Sequence, residues 1–176
     1  MTKYRDGTPI PLVTDSIEWA KLSTGAYCNY KNNPAMASIY GRLYNYYTIF
    51  DPKNLCPKGW HVPSDKEWQI LIDYLGGDKV AGEKLKEKGN AHWLENIGAT
   101  NQSGFSALPA GERDCYIQVD GKKSSFDWLG LRTFFASSTE WGNTIIWVRD
   151  LQNLNGGINR IHGGGCSGIS VRCIKD

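Results

Sequence analysis

Helical spacing runs out near residue 98, and that break constrains the fold more than any single motif. Before it, the chain carries capped, amphipathic segments. After it, short apolar runs alternate with Gly, Asn, Ser and Asp, the pattern of strands joined by turns. The runs "GFSALPAG" (104–111, interrupted by Pro109), "RTFFASST" (132–139), "TIIWVRDL" (144–151), "GINRI" (157–161) and "GISVRCI" (168–174) are the expected strands. Helices first and strands after is an α+β order. The expected architecture is two or three helices packed on a twisted antiparallel sheet, with a loop-rich C-terminal half, in one domain spanning 1–176.

The helical half is legible through its ends. Asp15-Ser16-Ile17-Glu18 has the acid-x-x-Glu spacing of a helix start, carrying Trp19 and Leu22 inward and stopping before Gly25. In "IYGRLYNYYTIF" (39–50), Tyr40, Leu43, Tyr44 and Tyr47 fall at i, i+3, i+4 and i+7, which predicts a second helix. The clearest signal is "PSDKEWQILIDYLGG". Ser64 is the N-cap with Glu67 as reciprocal partner, Trp68, Leu71, Ile72 and Leu75 form the buried stripe, and Gly76-Gly77 end it. Asp78 opens a further short helix whose apolar side is only Val80, Ala81 and Leu85, so it reads as mostly solvated.

A chain of 176 residues, 40% hydrophobic, is long enough for one core, and 20 glycines beside 12% aromatics favour a loop-rich fold over a helical bundle. The formal charge of +2 and the scattered Lys and Arg give no footprint for nucleic acid. No run approaches 18 apolar residues, so no membrane span is expected. Met1 opens directly into "TKYRDGTPIPLVTD", as expected of a domain cut from a longer precursor whose targeting segment was removed. The five cysteines, Cys28, Cys56, Cys115, Cys166 and Cys173, form no CxxC pair. Such spacing favours disulfides in an oxidising compartment over a zinc or thioredoxin-like site, with one thiol left over.

The densest stretch is "CPKGWHVPSDKEW" (56–68). Gly59 stands where a c-type haem motif needs its second cysteine, so haem is excluded. A lone histidine seldom completes a ligand set, which gives His61 a structural role. His162 and Cys166 stand at a metal-compatible spacing, but no second pair lies nearby and zinc is not expected. The block reads as structural: Cys56 a covalent tie, Trp60 and Trp68 core rings, Ser64 a cap. No cofactor and no metal site is expected.

The motifs "GRLYNYYT", "LCPKGWHVPSDKEWQIL", "AGEKLK", "GATNQSGFSALPAGER", "FFASSTEW", "WVRDL" and "GISVRCIKD" cover nearly the whole chain. In type and order they resemble the Fibrobacter succinogenes major paralogous domain. The resemblance implies a secreted or lipid-anchored bacterial surface protein with a C-type-lectin-like fold, related to that of the formylglycine-generating enzyme. It also implies a disulfide between Cys56 and Cys173. Of the other cysteines, Cys115 and Cys166 lie in Gly-rich turn regions and can pair, leaving Cys28 free, although three pairings remain open among them.

On this reading the expected function is non-catalytic binding or adhesion at the cell surface, with a glycan or protein recognised through the late loops. The loops at 140–143, 152–157 and 159–165 supply Trp141, Asn143, Asn153, Asn155, Asn159, Arg160 and His162. An indole can stack on a sugar face while amides bond its edges. Asn and Gly are equally what turns require. Trp147 and Arg149, inside their strand, read as core and sheet-face residues. One alternative is a variable protein of a diversity-generating retroelement, whose C-terminal region would be its binding surface. Another is an oxidase like the formylglycine-generating enzyme, disfavoured because Cys166 has no second cysteine close by upstream of Cys173. Calcium-dependent sugar binding is disfavoured too, since the lectin tripeptide Trp-Asn-Asp is replaced by "WVRD" and Arg149 puts a positive charge where the ion should sit.

Overall fold

The computed structural model describes residues 1–114 and 125–176. In chain order its elements are α1 Ser16–Ala20, β1 Tyr27–Cys28, α2 Pro34–Tyr40, β2 Leu43–Tyr44, α3 Tyr46–Ile49, β3 Trp60–His61, α4 Asp65–Tyr74 and α5 Ala81–Leu85. The strands β4 Ala110–Arg113, β5 Phe126–Leu129, β6 Arg132–Gly142, β7 Ile145–Gln152, β8 Asn159–Gly163, β9 Ile169–Ser170 and β10 Ile174–Lys175 follow. The molecule is α+β, as the order of sequence patterns predicts. Among the described residues it has five short α-helices rather than two or three.

The main sheet is mixed, which corrects the expectation of an antiparallel one. Its centre is β6. One edge pairs antiparallel with β7 from Arg132↔Gln152 to Gly142↔Ile145, and β7 pairs onward with β8. The other edge is shared by two parallel neighbours, β4 through Gly111↔Thr133 and β9 through Phe135↔Ser170. β2 and β1 extend the sheet beyond β9, and β5 extends it beyond β4. A separate ribbon joins β10 to β3.

The "FF" of β6 explains why the sheet lies inside the molecule. Adjacent strand residues point to opposite faces, so Phe134 and Phe135 feed two cores. On one side Phe135 and Leu151 pack with Trp68, Ile72 and Leu85 of α4 and α5 and with Trp93. On the other, Phe134, Ala136, Ile146 and Val148 meet Ile49, Cys56, Val62 and Ile169. A strand covered on both faces reads as a continuous apolar run.

The capping box forms as predicted: Ser64 Oγ accepts from Glu67 N at 3.2 Å, and Ser64 N donates to Glu67 Oε2 at 2.7 Å. Asp15 likewise caps α1, accepting from the Ile17 and Glu18 amides. The helix expected over 39–50 does not form. Gly41, at φ +79°, ends α2, Leu43 and Tyr44 turn into a buried strand, and Asn45 caps a new helix by accepting from Thr48 N. Two further corrections concern burial. Trp60 is 41% exposed rather than a core ring, whereas Trp68 is buried. The helix after Asp78 is not solvated, because Ala81, Gly82 and Leu85 are all buried. It begins at Ala81 with Val80 as its N-cap rather than at Asp78.

Two buried cations fasten loops to this frame. Lys86, fully buried, donates Nζ to the carbonyls of Ile97, Gln152 and Asn155 at 3.0–3.2 Å. Arg113 donates to the carbonyls of Val13, Thr14 and Asp15 and lies over the Trp19 ring at 4.5 Å. Cys56 and Cys173 are joined, their Cα atoms 5.9 Å apart, tying the approach to α4 to the end of the chain. Cys28 is a free, buried thiol. Cys166 is disulfide-bonded. The expected Cys115–Cys166 pair lies outside the described residues because Cys115 does.

Candidate ligand-binding surface

The site candidates divide along β7. At one end, β6 and β7 join through the two-residue turn Asn143–Thr144, with Thr144 at φ +54°. The pairing shifts register between Ala136 and Glu140 and again before Gly142. Ser137 Oγ fills the gap by donating to Trp147 O at 2.8 Å and accepting from Thr139 N at 3.2 Å. Bulges of this kind re-aim the side chains beyond them. Here Trp141 is carried onto the face bearing Trp147 and His162, which are directly opposite each other in register.

The result is a small aromatic platform. The Trp141 indole stacks on His162 with centroids 4.7 Å apart and planes 20° apart, and meets Trp147 edge-on at 6.4 Å and 86°. The Arg160 guanidinium lies 3.3 Å from the centre of the Trp147 ring. Trp141 remains 53% exposed, and His162 and Arg160 are exposed. About half of the Trp141 surface therefore stays open to solvent beside these contacts.

Helix α4 braces this surface without covering it. Asp65, in its first turn, holds Arg160 at 3.1 Å through Nε and 2.9 Å through Nη2. The same carboxylate pairs with Arg149 Nη2 at 2.9 Å. Arg149 is only 1% exposed, so it is the sheet-face residue that the sequence suggests, locked under the helix. Burial depresses its pKa below the ordinary guanidinium value, opposed by Asp65. Trp147 is half-buried and belongs to the platform rather than to the core. An edge contact completes the neighbourhood: the Tyr46 hydroxyl donates to Glu140, and that bond, with burial second, pushes its pKa up to about 12.

Trp141, Arg160 and His162 are therefore brought together, with Asn143 exposed in the adjoining turn. The other three asparagines are not. Asn153 and Asn155 lie past the far end of β7, roughly 20 Å away at 3.3 Å per residue. Asn155 serves its own loop, accepting from Gly157 N at 2.8 Å. Asn159 faces the opposite side and donates to Asp150 Oδ2 at 3.1 Å. Asp150, fully buried, also takes a two-pronged bond from Arg132 at 2.8 and 3.1 Å. Beside that pair Glu112 is pushed up to about 7, by burial first and then by Asp114. Sequence reasoning assigns Trp147, inside an apolar run, to the core and sheet face, and it passes over Glu112 in "AGER".

No group of three or more His, Cys, Asp or Glu among the described residues is placed to hold a metal ion. The Cys28 thiol is raised to about 11 by burial, so it stays protonated at neutral pH and is a poor nucleophile.

The family described as the Fibrobacter succinogenes major domain matches residues 1–175. The chain belongs to that family. No curated protein and no solved structure matches it.

Proposed function

We propose that this chain is a non-catalytic binding module of the bacterial cell surface, which takes a glycan on the platform of Trp141, Trp147, Arg160 and His162. The proposal includes a C-type-lectin-like arrangement of the α+β fold, related to that of the formylglycine-generating enzyme, and export as a secreted or lipid-anchored protein. The observation that carries it is the indole of Trp141, stacked on His162 and held open to solvent beside Trp147 and Arg160. A rigid ring of this kind offers its face to the C–H groups of a pyranose at low entropic cost, while Asn143, exposed in the adjoining turn, supplies an amide to bond hydroxyls. Asp65 holds the Arg160 guanidinium in place over the Trp147 ring, so that edge of the platform is fixed before a ligand arrives. The Cys56–Cys173 disulfide fits the oxidising compartment that export requires.

A glycan array probed with the wild-type chain and with Trp141→Ala is the direct test. Binding to one glycan class, lost in the variant by about tenfold or more, is the expected result. Equal binding by both proteins moves the site elsewhere. A wild-type chain that binds no glycan but captures a protein through the same residues replaces the ligand and keeps the surface.

A further inference from the structure

A second cavity shares no residue with the aromatic platform. It holds about 270 Å³ and lies between the end of α2, β2, the middle of β6 and β9. Its charged lining side chains are Arg42 and Arg172, and no Asp or Glu is among its lining residues. Neither arginine has an ion pair within the described residues. Each is held instead by a ring. Arg42 lies 5.6 Å from the Tyr27 centroid. Arg172 lies 4.4 Å from that of Phe105, whose carbonyl it also bonds.

Two residues of the cavity wall each carry a buried polar atom with no partner. One is Arg42 Nε. The other is Oγ1 of Thr133, a residue with 0% exposure at the centre of β6. A donor left unsatisfied inside a protein costs about 1–3 kcal/mol, more when charged, so such atoms mark places where a partner is missing. Here a partner has to accept from the guanidinium, can accept from the hydroxyl, and faces the Arg42 and Arg172 guanidiniums and the Met1 amino group with no carboxylate among the lining residues. An oxyanion meets all three conditions. The volume falls just under the range of drug-sized pockets, which fits a small ligand.

We propose that this cavity binds a small molecule through a carboxylate, phosphate or sulfate group, with Arg42 and Thr133 at its wall and Arg172 at its mouth. The site is independent of glycan binding: either can fail while the other holds. It also gives the module a second, diffusible ligand to sense or carry.

Isothermal titration of the wild-type chain with inorganic phosphate, sulfate and acetate tests this, each run against sodium chloride at equal ionic strength. Saturable binding of at least one oxyanion is expected, weakened about tenfold or more in Arg42→Gln and in Arg172→Gln and unchanged in Trp141→Ala. The preferred anion distinguishes a phosphate, a sulfate and a carboxylate ligand. Heats no different from those of chloride, or affinity kept in both arginine variants, overturn the proposal. Amide shift mapping of the wild-type chain needs no variant to fold. Changes centred on Gly41, Thr133 and Val171 support the site, and changes confined elsewhere refute it.

Discussion

Single side chains hold this molecule together where the elements are short. Lys86 is the clearest case, since it is fully buried with no ion pair among the described residues, and its ammonium is satisfied by the carbonyl of Ile97 and by those of Gln152 and Asn155 at and just past the end of β7. Lys86→Met keeps the stem and removes the donors, stranding those carbonyls. A loss of about 2–4 kcal/mol in urea unfolding is expected. Glu67 gives a pH signature. Its bonds to the Ser64 amide and hydroxyl, with His61 beyond, hold its pKa down to about 2 from 4.5. A carboxyl with a depressed folded pKa contributes stability above its unfolded value and loses it as the pH falls. Stability should therefore drop between pH 4.5 and 2, and Glu67→Gln should flatten that part of the profile in acid titrations followed by circular dichroism. His61 works in the opposite sense, raised by Asp176 and then Glu67. Its contribution is present at low pH and lost as the pH rises through that raised value. The capping box was readable from sequence because its partners are three residues apart. The burial of Lys86 was not, because its acceptors arrive from residues 97, 152 and 155.

At the scale of elements, close approach decides more than propensity. Helix α5 is five residues long with no side-chain cap, yet it is buried because Gly82 lets it touch the β7–β8 loop. A Cβ at Gly82 would lie 2.0 Å from the Gly157 carbonyl oxygen, and Glu83 N already bonds Gly156 O at 2.8 Å. Gly82→Ala should cost about 1–3 kcal/mol by forcing helix and loop apart. Gly142→Ala, with nothing within 4 Å, should leave the thermal midpoint nearly unchanged. Measuring both separates packing from backbone entropy. Segment 39–50 shows why sequence misled here. Tyr40, Leu43, Tyr44 and Tyr47 satisfy a helical period, but Leu43 and Tyr44 are buried together by the sheet, and Gly41 in the left-handed region breaks the helix first. Trp128, at φ +68° in β5, belongs to a strand that no alternation announces.

Across the whole molecule, the covalent tie between Cys56 and Cys173 spans 117 residues. Closing so long a loop in the unfolded chain is worth about 5 kcal/mol by loop entropy. Cys56→Ser with Cys173→Ser should lower unfolding free energy by about 3–5 kcal/mol, read as a shifted denaturant midpoint, while the platform around Trp141 keeps its fold if the double variant remains native. Resemblance to the family pointed to that pair; the residues alone left the cysteines open. The sequence by itself determined the α+β order, the caps of α1 and α4 and the strands of the β6–β7 hairpin, because each depends on neighbours within a few residues or on an apolar run that must be buried. Only the tertiary structure decided that β6 takes β4 and β9 as parallel neighbours, that Trp147 joins Trp141 and His162, and that Asn153, Asn155 and Asn159 turn elsewhere. Those outcomes follow from a register shift and from contacts between residues dozens of positions apart, and local spacing carries no record of either.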